Sequence, residues 1–231
     1  MTHVTITVDE EERRFVIRAT HLAWKHLTRS RKRNFFDDEK LSDVIIKFAD
    51  KQIFAHKVIL VSGCVWFEKA LLGNFSEANK KIIELHDDTD PEAMMYMLKY
   101  LYDMAYPRDL ELGISTMIHL EIYILGDKYD IKSLRDEAAA HIMYLLQEQY
   151  YAGEFSNASI FTIQKLLGPD PVCLADQSLK IQTKNQVFGY TSVLLSDEMF
   201  RTLLAKGEMF DTQHALDYLE ALNKICLEHI E

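Results

Sequence analysis

The alternation of apolar and polar residues early in the chain predicts a small β-sheet with helices inserted into it. Residues 44–48 (VIIKF) form a mostly apolar run rich in β-branched side chains, and residues 53–55 (IFA) follow after a short polar turn. Residues 81–85 (KIIEL) predict a third strand. Between the second and third strands, residues 56–72 predict two short helices that break near residues 62–63.

Helical spacing of apolar residues dominates after residue 90. Asp90 can cap a helix, and Pro91 suits the first turn of that helix. The apolar residues that follow share one helical face, and they are Met94, Met97, Leu98 and Leu101. Stripes over residues 118–125 and 134–145 predict two more helices, separated at Tyr129-Asp130. Strands that cluster early and helices that follow are typical of an α+β fold with helices packed around a small sheet.

The two ends of the chain are less regular than its middle. Residues 1–19 alternate in polarity and predict a hairpin, and residues 20–33 have apolar side chains at helical spacing. Gly168-Pro169 marks a firm break, residues 179–191 (LKIQTKNQVFGYT) predict an extended segment, and residues 198–231 predict two helices divided near residues 207–212. The pattern divides the chain into an N-terminal extension (1–40), a domain (41–149) and a mainly helical C-terminal segment (150–231).

Composition and charge exclude several classes of function. The chain has 231 residues, of which 48% are hydrophobic, and a net charge of −10, which disfavours broad binding to nucleic acid. The cysteines are Cys64, Cys173 and Cys226, an odd number far apart in the chain, so neither a zinc site nor a disulfide framework is indicated. No apolar run approaches the roughly 20 residues that span a bilayer. We expect a protein of the cytoplasm, the nucleus or both.

Several short segments resemble the BTB/POZ family. The opening pieces are Leu41-Ser42-Asp43-Val44, then residues 54–60 (FAHKVIL), then Trp66-Phe67. Later pieces follow in the family's order: Phe75-Ser76-Glu77, Tyr100-Leu101-Tyr102 with Tyr106, and residues 126–130 (GDKYD) with Leu134. The last piece is similar to fungal members. The resemblance implies a BTB/POZ fold, a three-stranded sheet with helical hairpins, which acts by binding other proteins.

The resemblance also implies a partner site, and the sequence differs from the family pattern at one place. Some BTB proteins bind a cullin scaffold through a hydrophobic-x-acidic motif, and Phe75 and Glu77 match it, with Tyr123 on a helix expected nearby. The alternative is that Phe75 packs its own loop and that Tyr123 belongs to the core. Gly63 and Cys64 stand where the family often has a basic residue and a serine. This departure disfavours the groove through which some members bind corepressors.

Two features precede the domain. The helix predicted for residues 20–33 sits where many BTB proteins have a dimerising helix, so Trp24 and Leu27 are candidate contacts with a second copy; packing on the chain's own C-terminal helices is the alternative. The basic residues at the end of this helix are Arg29, Arg31, Lys32 and Arg33. They suit a nuclear localisation signal or a phosphate contact, and a solvated helix end explains them equally simply.

The sequence contains no familiar catalytic motif. Phosphate loops, GxGxxG, HExxH and GxSxG are all missing from the sequence. His86-Asp87-Asp88 has ligand-type residues, but it stands between a strand and a helix cap, where aspartates serve turns. Cys64 is expected to be a buried residue within a helix. We therefore predict no catalytic residue, cofactor or metal. The chain is predicted to be a homodimerising module that recruits proteins, and a substrate adaptor for a cullin-based ubiquitin ligase is the sharper form of this prediction. The alternative is a nuclear regulatory or architectural protein that dimerises and contacts DNA or chromatin through its basic segment.

Overall fold

The computed structural model describes residues 31–73, 80–86, 90–106 and 115–228. The predicted N-terminal hairpin lies outside these residues, and so does all of the predicted helix 20–33 except its end. That end is a short 3-10 helix, Arg31–Phe35. Its last residue, Phe35, packs edge-on against the ring of His56, with 5.6 Å between the centroids. The start of the described chain is therefore anchored to the domain that follows.

The predicted three-stranded sheet is confirmed. Its strands are β1 (Val44–Phe48), β2 (Lys51–Ala55) and β3 (Ile82–Leu85), in the order β2-β1-β3. The first two strands are antiparallel and pair Ile46 with Ile53, whereas β1 and β3 are parallel and pair Ile46 with Ile83. All three isoleucines are buried, so the central strand carries its apolar residues into the core on the face that the helices cover.

Two short helices form the predicted hairpin between β2 and β3. Helix α1 spans Lys57–Gly63 and α2 spans Val65–Leu72. Cys64 separates them in an extended conformation (φ −147°, ψ 119°), so the expectation that it lies within a helix is wrong. The thiol is buried, donates a hydrogen bond to the carbonyl of Tyr129 (3.2 Å) and has a raised pKa because of its burial. A thiol held in this way is not a poised nucleophile.

Helices build the rest of the molecule. They are α3 (Pro91–Leu101), α4 (Thr116–Lys128), α5 (Lys132–Ala152), α6 (Asn157–Leu167), α7 (Ser178–Gly189), α8 (Thr191–Leu194), α9 (Glu198–Ala205) and α10 (Thr212–Glu228). Asp90 caps α3 as predicted, since its carboxylate accepts the backbone N–H of Glu92 at 2.7 Å. The α4–α5 and α9–α10 divisions also fall where the sequence predicts them. Helix α5 runs without a break through residues 149 and 150, the predicted domain boundary.

The prediction of an extended segment at residues 179–191 is wrong, because residues 178–189 form α7. The misleading feature is composition: the helix is rich in polar residues and has β-branched side chains along its length. Only Leu179, Thr183 and Val187 of this helix are buried, at a spacing of four residues. One narrow stripe against α6 and α5 thus holds the segment in a helix, in spite of its weak intrinsic preference.

One continuous core joins the sheet-containing part to the C-terminal helices. Helix α4 packs against α3 and α5 on the domain side and against α6 on the C-terminal side. Buried residues of the two parts belong to the same cluster, for example Phe67 and Leu98 of the domain with Ile160 and Leu179 of the C-terminal helices. Across the described ranges, no helix is both long enough and apolar enough to cross a bilayer.

Candidate protein-interaction surfaces

The start of α1 is organised by polar groups from elsewhere in the chain. Asp43, just before β1, accepts the backbone N–H of Lys57 at 2.7 Å and so caps α1 from a distance of 14 residues. The Nε2 atom of His56 lies 3.1 Å from the carbonyl of Lys40 and donates to it, since a carbonyl can only accept. His56 therefore satisfies a backbone group at the junction between β2 and α1.

The other ring nitrogen of His56 points at Tyr102. The Tyr102 hydroxyl accepts the backbone N–H of His56 (2.9 Å) and lies 3.1 Å from Nδ1 of the same residue. Because Nε2 carries the imidazole proton, Nδ1 is the acceptor and the tyrosine O–H is its donor. Tyr102 is fully buried, and this burial raises the pKa of its hydroxyl to about 12. The junction is thus a closed hydrogen-bond network inside the domain.

This network presents two aliphatic side chains to solvent. Leu41 lies between Lys40 and Asp43, both tied to the start of α1, and Val58 is on the first turn of that helix. Leu41 is 82% exposed and Val58 is 74% exposed. Leu41 also has a φ of 63°, a left-handed conformation that is unfavourable for leucine. We call these two residues the Leu41–Val58 patch. Sequence periodicity misses it, because Val58 falls in an apolar run (58–61) that looks like core and Leu41 is a single apolar residue among polar ones.

The predicted dimer contacts Trp24 and Leu27 lie outside the described residues, as do Arg29 and the predicted cullin contacts Phe75 and Glu77. The chain approaches the latter two through Leu72, the last residue of α2, whose side chain is 71% exposed.

The described part of the basic run is not a free cluster of cations. Arg31 to Arg33 lie in the 3-10 helix. Lys32 forms an ion pair with Asp103 at 3.6 Å, and both side chains are 42% exposed. Arg33 is exposed. Part of the positive charge expected for a nuclear signal or a phosphate contact is therefore offset by a neighbouring carboxylate.

Tyr123, the third predicted cullin contact, is 1% exposed. Its hydroxyl lies 3.5 Å from the carbonyl of Asp176 and 3.4 Å from Oγ of Ser178. The core alternative thus describes its position in this structure, and a contact through Tyr123 requires residues 176–178 to move. The accessible face of α4 is one that the sequence analysis did not single out, and it presents the half-buried side chains of Met117, Glu121 and Ile124.

A charged junction fixes the C-terminal helices to the domain. Asp127, whose side chain is 7% exposed, accepts the backbone N–H of Ala175 (2.6 Å) and that of Asp176 (3.1 Å). Arg135 lies against three carboxylates, with nitrogen–oxygen distances of 3.8 Å to Asp127, 3.5 Å to Asp130 and 3.7 Å to Asp176. We call Asp127 and Arg135 the charged junction. It gives a structural role to the GDKYD segment, which joins α4 to α5 and binds the loop before α7 through Asp127.

Gly126 allows this junction to be compact. A Cβ atom at that position would lie 3.0 Å from Cγ of Arg135 and 3.2 Å from its backbone nitrogen, tighter than side chains normally pack. The guanidinium also donates to the carbonyl of Gly126 at 3.3 Å. The glycine thus serves close helix packing.

The described residues offer no built metal centre. Within them, no group of three or more histidine, cysteine, aspartate or glutamate side chains could hold an ion. His86 is exposed and lies 3.6 Å from Glu84, while Asp87 and Asp88 fall outside the described ranges.

Part of this chain is similar to a known family and to several known proteins. Residues 33–145 match the family model described as BTB/POZ domain. BTB/POZ domain-containing protein 9 of Bos taurus is 28% identical over 134 residues, which cover 55% of this chain and 20% of that protein. Kelch-like protein 41 of Homo sapiens is 29% identical over 102 residues, which cover 44% of this chain and 16% of that protein. The chain thus spans a fifth or less of the length of these curated relatives.

A solved structure of the BTB (Tramtrack and Bric a brac) domain of human gigaxonin also matches. The likeness has a TM-score of 0.35 and 14% sequence identity, and it covers 61% of this chain and 98% of that one. The similarity to fungal members stays a prediction.

The family match and the fold coincide along the chain. The segments that resemble the family run from Leu41 to Leu134, inside the matched range. The same range contains the three-stranded sheet, the α1–α2 hairpin, α4 and the first part of α5. Residues 33–145 of this chain are a BTB/POZ domain.

Proposed function

We propose that the chain is a non-enzymatic adaptor of the cytoplasm or nucleus that forms a homodimer and recruits other proteins. BTB/POZ domains are protein-interaction modules, and their presence here supports binding over catalysis. The observation that carries the proposal is the Leu41–Val58 patch, where two aliphatic side chains stand almost fully in water beside a rigid hydrogen-bond network. Exposed apolar groups on a fixed support are typical of an interface with another chain.

A second copy is the occupant that this patch favours. The segment that follows the helix predicted for residues 20–33 is anchored at the start of α1, because Phe35 packs on His56. We propose that Trp24 and Leu27 extend the patch from there. In a two-fold interface each contact occurs twice, and full burial of one aliphatic side chain contributes about 1.5–3 kcal/mol. A two-fold dimer contains two copies of Leu41 and two of Val58, and we propose that the helix predicted for residues 20–33 supplies the further buried area that a stable dimer needs.

Polar substitution of the patch tests the dimer. We expect sedimentation equilibrium to find a dimer for the native chain and a monomer for Leu41→Asn combined with Val58→Glu, with unchanged circular dichroism. Asparagine tolerates the left-handed backbone at position 41. Leu72→Asn removes an equally exposed leucine elsewhere and should leave the dimer intact. A native chain that stays monomeric at tens of micromolar would refute the homodimer.

The proposed scaffold partner is a cullin, bound through Phe75 and Glu77. Two observations support the placement: the motif resembles the family's hydrophobic-x-acidic sequence, and α2 delivers the chain to it with Leu72 exposed. An aromatic anchor next to a carboxylate suits contact with a partner that is apolar and basic. In this proposal Tyr123 supports α4 from the core side, while Met117 and Ile124 lie on its accessible side.

Capture by an immobilised cullin N-terminal domain tests this partner. We expect the native chain to bind and Phe75→Ala combined with Glu77→Lys to lose binding by at least ten-fold, because a hot-spot anchor and a charge are both removed. Glu68→Lys changes the charge of an exposed position on α2 and is the matched control. Equal binding of the double variant and the native chain would remove Phe75 and Glu77 from the site.

The alternative, a nuclear protein that contacts DNA through Arg29 to Arg33, has less support. Lys32 is paired with Asp103, and the net charge of −10 repels phosphate. A steeply salt-dependent DNA affinity that disappears on neutralising Arg29, Arg31 and Arg33 would favour it over the adaptor.

A further inference from the structure

The C-terminal helices enclose a cleft that none of the preceding contacts occupies. It has a volume of about 280 Å³ and lies between α7 and the start of α10, with α6 beneath. Its apolar lining includes Leu166 of α6, Pro171 of the loop before α7 and Ile181 of α7. Leu166 is fully buried and Ile181 is 56% exposed, so the cleft has an apolar floor and an apolar rim.

The walls of the cleft are fixed in place by backbone hydrogen bonds. The N–H of Asp211, just before α10, donates to the carbonyl of Leu167 at 2.8 Å, which ties α10 to the end of α6. The N–H of Val172 donates to the carbonyl of Lys165 at 2.8 Å, which holds the loop with Pro171 against the same helix. A preformed cleft of this kind loses little conformational entropy when it binds a ligand.

The carboxylate that lines this cleft, Asp211, is already engaged, and so is Asp217, which pairs with Lys184 of the lining. Asp211 accepts the backbone N–H of His214 (2.8 Å) with one oxygen and lies 2.9 Å from Nδ1 of the same residue with the other. Asp217 lies 3.2 Å from Nζ of Lys184 and 2.7 Å from the side-chain amide of Gln213. These contacts lower the pKa of Asp217, so the carboxylate stays charged and its ion pair with Lys184 persists.

Lys180 also lines the cleft, and it takes part in neither of these pairs. Its side chain is half-buried, and among the side chains described from residue 115 to residue 224 no carboxylate forms an ion pair with it. A cation that is partly withdrawn from water without a counter-charge attracts an anionic group. The local surface therefore combines an apolar slot with one uncompensated positive charge one residue before Ile181.

We infer that this cleft binds a short acidic peptide segment of a partner protein, with an aliphatic side chain in the slot formed by Leu166, Pro171 and Ile181, and with a carboxylate at Lys180. The inference deepens the proposed adaptor function, because it assigns the surface that takes the target. The volume fits one aliphatic side chain with its flanking backbone. His214, oriented by Asp211, offers Nε2 as a further hydrogen-bonding group for the peptide.

Selection from a phage library of random twelve-residue peptides on the intact chain tests the inference. We expect enriched peptides to carry an aliphatic residue next to aspartate or glutamate, and synthetic copies to bind more weakly as salt rises. Failure to enrich any peptide above background, or enrichment of sequences without acidic residues, would overturn it. The selection needs no cullin, so its failure and that of the scaffold proposal are separate results.

Variants of the cleft locate the contact. Lys180→Glu should weaken binding of an enriched peptide by roughly ten-fold or more, because an attractive charge pair becomes repulsive. A peptide with its acidic residue changed to lysine should regain affinity for this variant. Ile181→Asn should also weaken binding, whereas Lys224→Glu makes the same charge change at an exposed position of α10 and should not. Lys180→Glu that binds as well as the native chain would refute the site.

Discussion

The BTB/POZ domain and the C-terminal helices differ in what determines their structure. In the domain, local features mark the elements: β-branched runs form the strands, and Asp90 and Pro91 start α3. In the C-terminal part the elements depend on contacts distant in sequence, since four rings from three helices and a loop meet at centroid distances of 5.0 to 6.2 Å; they are Phe188, Phe200, Phe210 and Tyr218. One part is specified by its sequence locally, and the other largely by packing.

Both parts use aspartates to satisfy helix N-termini: Asp43 and Asp90 do so in the domain, and Asp197 does so at α9. The C-terminal part also buries the hydroxyl of Thr183 in α7 without a hydrogen-bond partner among the described residues. Because the charged junction and the α4–α6 packing join the two parts, we expect the stability of the domain to depend on the C-terminal helices.

Deletion of residues 150–231 should have the largest effect on this dependence. It uncovers the face of α4 that packs on α6 and removes both backbone donors of Asp127. Since a domain is stable by only about 5–15 kcal/mol, we expect the fragment to lose its cooperative thermal transition or to aggregate. Calorimetry checks this. A soluble fragment that melts at the temperature of the intact chain would instead support an independent domain that ends at residue 149.

The charged junction should give the next largest effect. Asp127→Ala leaves Arg135 with fewer carboxylates and two N–H groups without an acceptor, so we expect a loss of about 3 kcal/mol in the free energy of unfolding. Asp130→Asn is the control, because Asp130 is 62% exposed and asparagine tolerates its φ of 54°. Urea titration measures both. Equal losses for the two variants would show that Arg135 is held by charge alone, with no special role for the buried carboxylate.

The predictability of the two parts follows from the same contrast. Strands and helix starts of the domain could be predicted, since β-branched runs and capping residues act within a few positions. The extended segment predicted over α7 was wrong because only the stripe of Leu179, Thr183 and Val187 defines that helix, and polar residues between them hide its period. Local sequence does not show which polar helix will find a partner.

The same contrast applies to the candidate sites: local sequence shows some of their features, and contacts distant in sequence determine the others. The GDKYD segment could be recognised from sequence, but the role of Asp127 could not, because its partners are 48 and 49 residues away. Exposure of Leu41 was also hidden, since an apolar residue before a strand looks like core until the left-handed backbone turns it outward. Tyr123 was open to both readings, and only the position of Asp176 and Ser178 separates them.

Within the domain, the hydrogen bonds of Tyr102 should contribute less to stability than the charged junction does. Tyr102→Phe leaves the N–H of His56 without its acceptor, so we expect a loss of about 1–2 kcal/mol at neutral pH. The folded pKa of about 12 exceeds the roughly 10 of an unfolded tyrosine, so the neutral hydroxyl stabilises the fold below pH 10, and this contribution disappears as the pH rises towards 12.

The difference in unfolding free energy between the native chain and Tyr102→Phe should therefore shrink between pH 10 and pH 12, as measured by urea titration at several pH values. Tyr151→Phe, at a side chain 62% exposed, should show a small difference throughout. A difference for Tyr102→Phe that stays constant across this range would show that the hydroxyl ionises as readily in the fold as in the unfolded chain.

Thr183 of α7 should give the smallest effect, and of opposite sign. Its hydroxyl is buried and, among the described residues, has no hydrogen-bond partner. Thr183→Val keeps the shape and replaces an unpaired polar group by a methyl, so we expect a gain of about 0.5–1 kcal/mol in the free energy of unfolding. Thr162→Val is the matched control, because the Thr162 hydroxyl donates to the carbonyl of Ala158 at 2.8 Å and its loss should not stabilise the chain. If both valine variants changed stability equally, the buried hydroxyl of α7 would carry no penalty, and packing alone would account for the C-terminal part.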